Sequence, residues 1–330
     1  MKTNDLTWID DYVKMMFPVN YKEINLEGAI ALKHENIPLS LYKYRSVSKY
    51  SLENLEESSL WINSADQMND PYDSSLTINH QSYTDYMIKR FIITYLKDVE
   101  FQTDVSKYEE IESKSFNEIY NYLSHDNNGK ELAELIPILQ KRAQKFARDS
   151  KLTESMMERY QKAIFISCFS ERNDSMLMWS HYTNNHKGFC LEYNFKRHEI
   201  DPFLSEILYP VLYSEEMLDT TKHLIQLYQN RENHNVYSFI HSTIVKSIEW
   251  SYEKEWRLAT IFTDRNHGFN MPFFQPEAIY LGAKISNDDK QKLLDIATLK
   301  NIDVYQMKLK DDEFKLIPQP EFIVSEERDK

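Results

Sequence analysis

Five glycines, at positions 28, 129, 188, 268 and 282, are all that a chain of 330 residues offers. A strand-to-helix turn that wraps a phosphate needs glycine, because only a residue without Cβ lets backbone amides come close to the anion. Glycines this far apart write neither the G-x-G-x-x-G dinucleotide turn nor the G-x-x-x-x-G-K-[ST] phosphate loop. A doubly wound dinucleotide fold and P-loop ATP chemistry are therefore excluded, and any phosphate recognition falls to side chains.

Aromatic residues fill the space that glycine leaves, with 22 tyrosines and 17 phenylalanines. The formal charge of −13 disfavours a long footprint on duplex DNA, whose binding depends on lysine and arginine displacing counterions. A nucleotide or a short nucleic-acid acceptor stays compatible with that charge. Cys168 and Cys190 are too few for a disulfide framework and sit in apolar runs, so they read as buried thiols. The first ten residues are polar and mixed in charge, and no run approaches a membrane span, which makes the cytoplasm the expected location and a membrane partner unexpected.

Hydrophobic spacing divides the chain. Residues 1–40 alternate apolar patches with charges up to Pro38 and read as an N-terminal helical cap. Leu41–Arg45 and Leu60–Ser64 alternate as strands around a short helix capped by Ser48, and Asn69-Asp70-Pro71-Tyr72-Asp73 follows as a turn. From 76 to 160 the period becomes helical, as in Leu132, Leu135, Ile136 and Leu139, predicting a helical insertion or lid. Strand patterns return at 163–170 and 188–195, flanking a helix through Met176–Tyr182, and again near 207–213, 255–262, 278–282 and 304–309. One long helix is predicted over roughly 218–247, and 319–330 reads as a tail. The expected fold is α+β, with a core from 41–75 and 161–318 built on a mostly antiparallel or mixed sheet of about seven strands.

Four clusters combine aromatic planes with charge near strand ends. They are Tyr42, Tyr44 and Arg45; Asn69, Asp70 and Asp73; Trp179, His181, Tyr182 and His186; and Trp250, Tyr252, Glu253, Glu255 and Arg257. Each has a structural reading: half-buried strand tyrosines, turn chemistry, a packed aromatic set, and a surface ion pair between Glu255 and Arg257 on one strand face. Together they suit a pocket for a flat, anionic, nucleotide-like ligand. No zinc-type spacing of histidine and cysteine occurs, so no metal site is expected.

The strings Leu41-Tyr-Lys-Tyr-Arg45, Leu60-Trp61, Asn69-Asp-Pro-Tyr-Asp73, Cys168-Phe-Ser170, Met178-Trp-Ser-His-Tyr182, His186-Lys-Gly-Phe-Cys190 and Tyr252-Glu-Lys-Glu-Trp-Arg257 resemble, in this order, a bacterial family known as domain of unknown function twenty-nine seventy-one. That likeness implies no activity. A more distant one does: the strand, helix and strand from Tyr42 to Ser64 and the glutamate-led strand at Glu255 resemble ADP-ribosyltransferase toxins and RNA phosphotransferases, with Lys43 or Arg45 standing where those enzymes often carry histidine. This resemblance implies an ADP-ribosyltransferase-like sheet and NAD as co-substrate, in an enzyme that transfers or hydrolyses ADP-ribose as a toxin or an anti-phage effector. Under it, Glu255 steadies the cationic ribose or serves as base, Arg45 pairs with the pyrophosphate, His181 is a further catalytic residue, Tyr44 or Trp179 stacks on nicotinamide, and Tyr42, Asn69, Asp70, Tyr182 and Arg257 complete the cofactor-binding site. Two other readings stay open at this point. One is a magnesium-dependent nuclease or phosphoesterase built on Asp70, Asp73, Glu192 and Glu255; the other is a module that senses a nucleotide or partner without altering it.

Overall fold

A computed structural model of the protein describes residues 7–98, 111, 113–125, 127–149, 152–196, 202–262, 264–265 and 267–324. Parts of the sequence-predicted cap, insertion and tail, at 1–6, 99–110 and 325–330, lie outside the described residues. The strands are β1 (Leu41–Arg45), β2 (Ser59–Ser64), β3 (Leu76–Thr77), β4 (Ile164–Ser170), β5 (Phe189–Tyr193), β6 (Leu208–Pro210), β7 (Leu212–Ser214), β8 (Leu218–Asp219), β9 (Val245–Ser247), β10 (Glu255–Ile261), β11 (Phe269–Pro272), β12 (Ala278–Leu281), β13 (Asp303–Leu309) and β14 (Leu316–Phe322). Ten of them form one sheet in the order β11-β2-β4-β1-β5-β12-β13-β14, with β10 and then β6 attached beside β4. Its pairings are antiparallel except β12 with β13, which the helix Asn287–Lys300 connects as a crossover. The architecture is thus α+β with a mostly antiparallel sheet.

The sheet is wider than the alternation predicts, and its edges explain why. β11 ends in Pro272 and β14 contains Pro318 and Pro320, each strand pairing on one side only. Proline donates nothing to a ladder and is tolerated at an edge, where it also discourages pairing with another chain. Such segments look like loops in sequence, and β14 takes in part of the expected tail.

Two other elements differ from expectation. The single helix expected over 218–247 is instead β8, the helix Thr221–Gln229, a 3₁₀ turn, the helix Ser238–Ile244 and β9. Asn235 interrupts it: its amide donates to the carbonyls of Met16 (3.1 Å) and Pro18 (2.9 Å) and its Oδ1 accepts from the Tyr237 amide at 2.9 Å. Side chains that bond nearby backbone compete with the helical ladder in this way. The strand expected near 207–213 divides at Pro210–Val211, so that β6 pairs β10 while β7 pairs β9.

Apolar residues of one sheet face, including Phe165, Phe169, Leu191, Trp256 and Leu258, pack with Leu293, Ile296 and Ala297 of the helix Asn287–Lys300 and Leu55 of the helix Lys49–Glu56. The helices His80–Asp98, Phe116–Ser124 and Asn127–Asp149 share a core of their own around Ile92, Ile119, Leu123, Leu132 and Ile136. Among the described residues no helix is long and apolar enough to cross a membrane.

One irregularity of the sheet positions everything that follows. The edge of β4 away from β10 is shared by two strands: β2 pairs at Phe165 and Ile166, and β1 pairs at Ser170. Between these contacts, Ser167–Phe169 has no strand partner on that edge, so β1 and β2 diverge and the sheet forks.

Buried histidines make the fold sensitive to acid. Burial lowers His223 to about 4 and His241 to about 3, His241 lying stacked on Phe17 at 4.6 Å. As pH falls through about 6.5 the unfolded chain takes up protons that the folded chain refuses, so stability rises with pH across this window and is lost on acidification. We expect urea unfolding at pH 5 to give a free energy lower than at pH 7 by roughly 2 kcal/mol per histidine, at 1.36 kcal/mol per unit. His241→Phe should flatten that slope, and an unchanged slope would remove His241 as its source.

Candidate functional site

The fork opens on a cavity of about 440 Å³. Because it passes through a gap in the sheet, side chains from both faces line it: Lys43, Arg45 and Ser167 from one, Cys168 and Glu255 from the other. Asn69, His181, Tyr182, Lys246 and Glu253 also line it. The helix Met176–Tyr182 is followed by three left-handed residues, Asn184, Asn185 and His186, and the chain then re-enters the sheet at Gly188. A Cβ on Gly188 would strike the carbonyl of Arg45, so glycine lets β5 dock against the end of β1.

Behind the cavity runs a chain of buried charges. Arg257, fully buried, gives Nη1 and Nη2 to the two oxygens of Asp73 at 2.7 Å each, Nε and Nη2 to Glu255 at 2.8 and 3.1 Å, and Nη1 also to the Thr243 carbonyl at 2.5 Å. All five guanidinium donors are thereby used. Lys246 bridges Glu255 (2.8 Å) and Glu253 (2.6 Å), and Tyr182 donates its hydroxyl to Glu253 at 2.6 Å. Asn69 closes the line on the Tyr182 hydroxyl at 3.5 Å. A buried charge is tolerated when paired and hydrogen-bonded in this manner.

The two carboxylates beside Lys246 differ. Burial works to raise the Glu255 carboxyl, but Arg257 and Lys246 outweigh it and hold the group well below the usual range. Its oxygens already receive Arg257 twice, Lys246 and the Cys168 thiol. For Glu253, burial and the neighbouring Glu255 prevail over Lys246 and Tyr182, and the carboxyl is raised. With two of about four acceptor positions engaged, Glu253 retains capacity for a ligand hydroxyl. Lys43 is lowered to about 7, first by burial and then by Arg45.

Several residues predicted from sequence meet at this cavity. Arg45 lines it while giving Nη2 to Asn54 at 2.8 Å, and Asn69, His181 and Tyr182 line it as well. Tyr42 and Tyr44 contribute to its wall, although the Tyr44 hydroxyl is committed to the Arg172 carbonyl at 2.7 Å. Glu255 lines the cavity with its oxygens occupied as described, and Arg257 sits behind it without exposure.

Trp179 does not fit the stacking role. Its ring is fully buried, edge-on to Tyr44 at 5.3 Å, with its indole N–H given to the Asn173 carbonyl at 2.6 Å. Asp70 is absent from the cavity wall and accepts the Tyr72 amide at 2.9 Å, as a turn aspartate does. The magnesium set does not assemble: Asp73 and Glu255 flank Arg257, whereas Glu192 accepts from Tyr280 at 2.6 Å and from Ser40. Among the described residues, no three His, Cys, Asp or Glu side chains gather as metal ligands. Cys168 lies on the wall with its thiol raised by burial, and Cys190 is buried.

Sequence reasoning missed Ser167 and Lys246 as site residues, gave Lys43 only as an alternative to Arg45, and left Glu253 without a role. Lys246 was hidden inside the expected long helix. Glu253 lies two residues before Glu255, separated by left-handed Lys254, and that doublet was the available signal.

Residues 178–258 match the model of a family described as a protein of unknown function, DUF2971. The matched span holds Tyr182, Lys246, Glu253, Glu255 and Arg257, while Lys43, Arg45 and Asp73 precede it. No curated protein and no solved structure matches the chain.

Removing the central cation should be costly. Arg257→Met leaves Asp73 and Glu255 buried without their shared partner, and a loss of about 3–5 kcal/mol in denaturant unfolding is expected. Arg257→Lys should recover little of it, since an ammonium lacks the fork that serves both carboxylates. A loss under about 1 kcal/mol for either variant would show that the network adds little to the fold.

Proposed function

We propose that the cavity binds NAD and breaks its nicotinamide–ribose bond, passing ADP-ribose to an acceptor or to water. The observation that carries this reading is that Arg45 and the Glu253–Glu255 pair, bridged by Lys246, line one cavity of nucleotide-compatible size. Cleavage of an N-glycosidic bond develops positive charge on the ribose, and fixed carboxylates in a site shielded from water stabilise that charge. Glu255, locked in its charged form, supplies the field. Glu253, with spare acceptor capacity and a raised carboxyl, is placed to hold a ribose hydroxyl or to take a proton from the acceptor.

Arg45 keeps guanidinium donors beyond the one given to Asn54, and a planar fork suits a pyrophosphate. Tyr42, Trp61 and His181 offer rings for the nicotinamide in place of Trp179. The ADP-ribosyltransferase likeness of the sheet belongs to this same proposal and rests on the sequence pattern from Tyr42 to Ser64 and at Glu255.

Incubation of the chain with NAD labelled in the adenylate half, reading both free nicotinamide and acid-stable label, tests it. We expect nicotinamide release, and a fall of about 100-fold or more for Glu253→Gln, the scale of a lost proton-transfer group. Glu253→Gln keeps a neutral acceptor for Tyr182 and is the cleaner variant, since Glu255→Gln would unbalance Arg257. Binding of NAD in calorimetry with no product under any condition would favour a nucleotide sensor, and neither binding nor release would end the reading.

A further inference from the structure

The cavity wall contains a pair of groups that the proposed glycosidic chemistry does not use. Lys43 Nζ stands 2.7 Å from Ser167 Oγ and 3.1 Å from the Cys168 carbonyl oxygen, and Lys43 and Ser167 are both buried except where they line the cavity. The fork creates this contact. Had β1 continued along β4, backbone pairing would have filled the space that the lysine amine now occupies.

From this geometry we infer that Lys43 and Ser167 form a nucleophilic dyad that cleaves an acyl ester carried on a small phosphorylated sugar or nucleotide. A serine hydroxyl is a weak nucleophile until a neighbouring base takes its proton, and a lysine serves as that base only when neutral. Burial and the adjacent Arg45 lower Lys43 to about 7, so a large fraction is neutral at physiological pH. In the charged form the ammonium donates to Oγ; in the neutral form the hydroxyl donates to the amine, which is the arrangement for attack.

The step balances. Ser167 Oγ bonds to the carbonyl carbon while its proton passes to Lys43, the tetrahedral adduct expels the alcohol, which takes that proton, and an acyl-serine remains. Water, giving a proton to the same amine, then attacks the acyl carbon, and Ser167 Oγ leaves and takes that proton back from Lys43 as the carboxylic acid is released. The amide of Cys168 supports the developing oxyanion, because strand alternation turns it toward the same gap as the carbonyl that Lys43 bonds. Arg45, two residues along β1 on the face of Lys43, is about 7 Å away along the strand. That separation places its guanidinium to hold a phosphate while the acyl group reaches Ser167.

A small alkyl fluorophosphonate applied to the full chain, without NAD, tests the dyad independently of the glycosidic proposal. Intact-mass and peptide analysis should show one adduct per chain, on Ser167, formed faster as pH rises through about 7, and Ser167→Ala should abolish it. Lys43→Met, which removes a buried amine and is checked for folding by circular dichroism, should slow labelling at least 100-fold. The wild-type pH profile needs no variant and stands even if that one fails to fold. No adduct on Ser167 between pH 6 and 9, or equal rates with and without Lys43, would overturn the assignment.

Acetylated ribose 5-phosphate should be hydrolysed at least tenfold faster than acetylated ribose, and Arg45→Ala should erase the preference. Equal rates for the two esters in the wild type would overturn the anionic substrate class. Labelling of Ser167 without nicotinamide release, or release without labelling, separates the fate of this inference from that of the NAD reading.

Discussion

Arg257 is the cation on which this structure depends. Its five donors join four parts of the chain: Asp73 in the turn region after β2, Thr243 at the end of a helix, Glu255 at the start of β10, and through Glu255 the Lys246 of β9. The charged groups among them are buried, so each relies on the next for its charge to be tolerated. The arrangement also fixes direction. A planar guanidinium bound to two carboxylates through parallel hydrogen bonds leaves little freedom in how β10 and the Asp73 turn face one another.

What the network supports is an interruption in a sheet. A strand edge left unpaired in the interior is costly unless its backbone groups find other partners. At Ser167–Phe169 the Cys168 carbonyl finds one in the Lys43 side chain. The gap therefore persists without exposing an edge to another chain, and it brings Lys43 and Arg45 of one face to the same cavity as the Lys246-paired carboxylates Glu253 and Glu255. The pocket is a property of the fork rather than of a loop, which suits a chain with so few glycines to build loops around a ligand.

This explains what was legible in the residues. The alternation at β1, β2, β4, β5, β10, β12 and β13 reads directly, because period two with β-branched and aromatic residues has few other meanings. The prolines of β14 conceal a strand, and Asn235 breaks a helix through bonds to Met16 and Pro18 more than 200 residues away in sequence. Arg257 and Asp73 are likewise 184 residues apart, so a pair that looks like a surface Glu255–Arg257 bridge in sequence proves to be one link of a buried chain. Aromatic character marks residues that meet at one cavity, but not which rings face it. Trp179 and Tyr182 lie three residues apart on one helix face, yet the first is packed in the core and the second lines the cavity.

The carboxylates two residues apart at 253 and 255 show most clearly how environment divides labour. Both are buried and both touch Lys246, and their sequence contexts differ little. Arg257 reaches only Glu255, which is thereby kept ionised and saturated, while Glu253 bears the repulsion of its neighbour and is left with a tyrosine and a shared ammonium. Pairs of titratable groups driven apart in this manner are the usual basis for acid and base chemistry at one site. Lys43, lowered on the far wall, completes a set in which a raised acid and a lowered base face the same space. Such groups resist their ordinary charge states at an energetic cost to the fold, and the Arg257 network holds the surrounding elements in register against that cost.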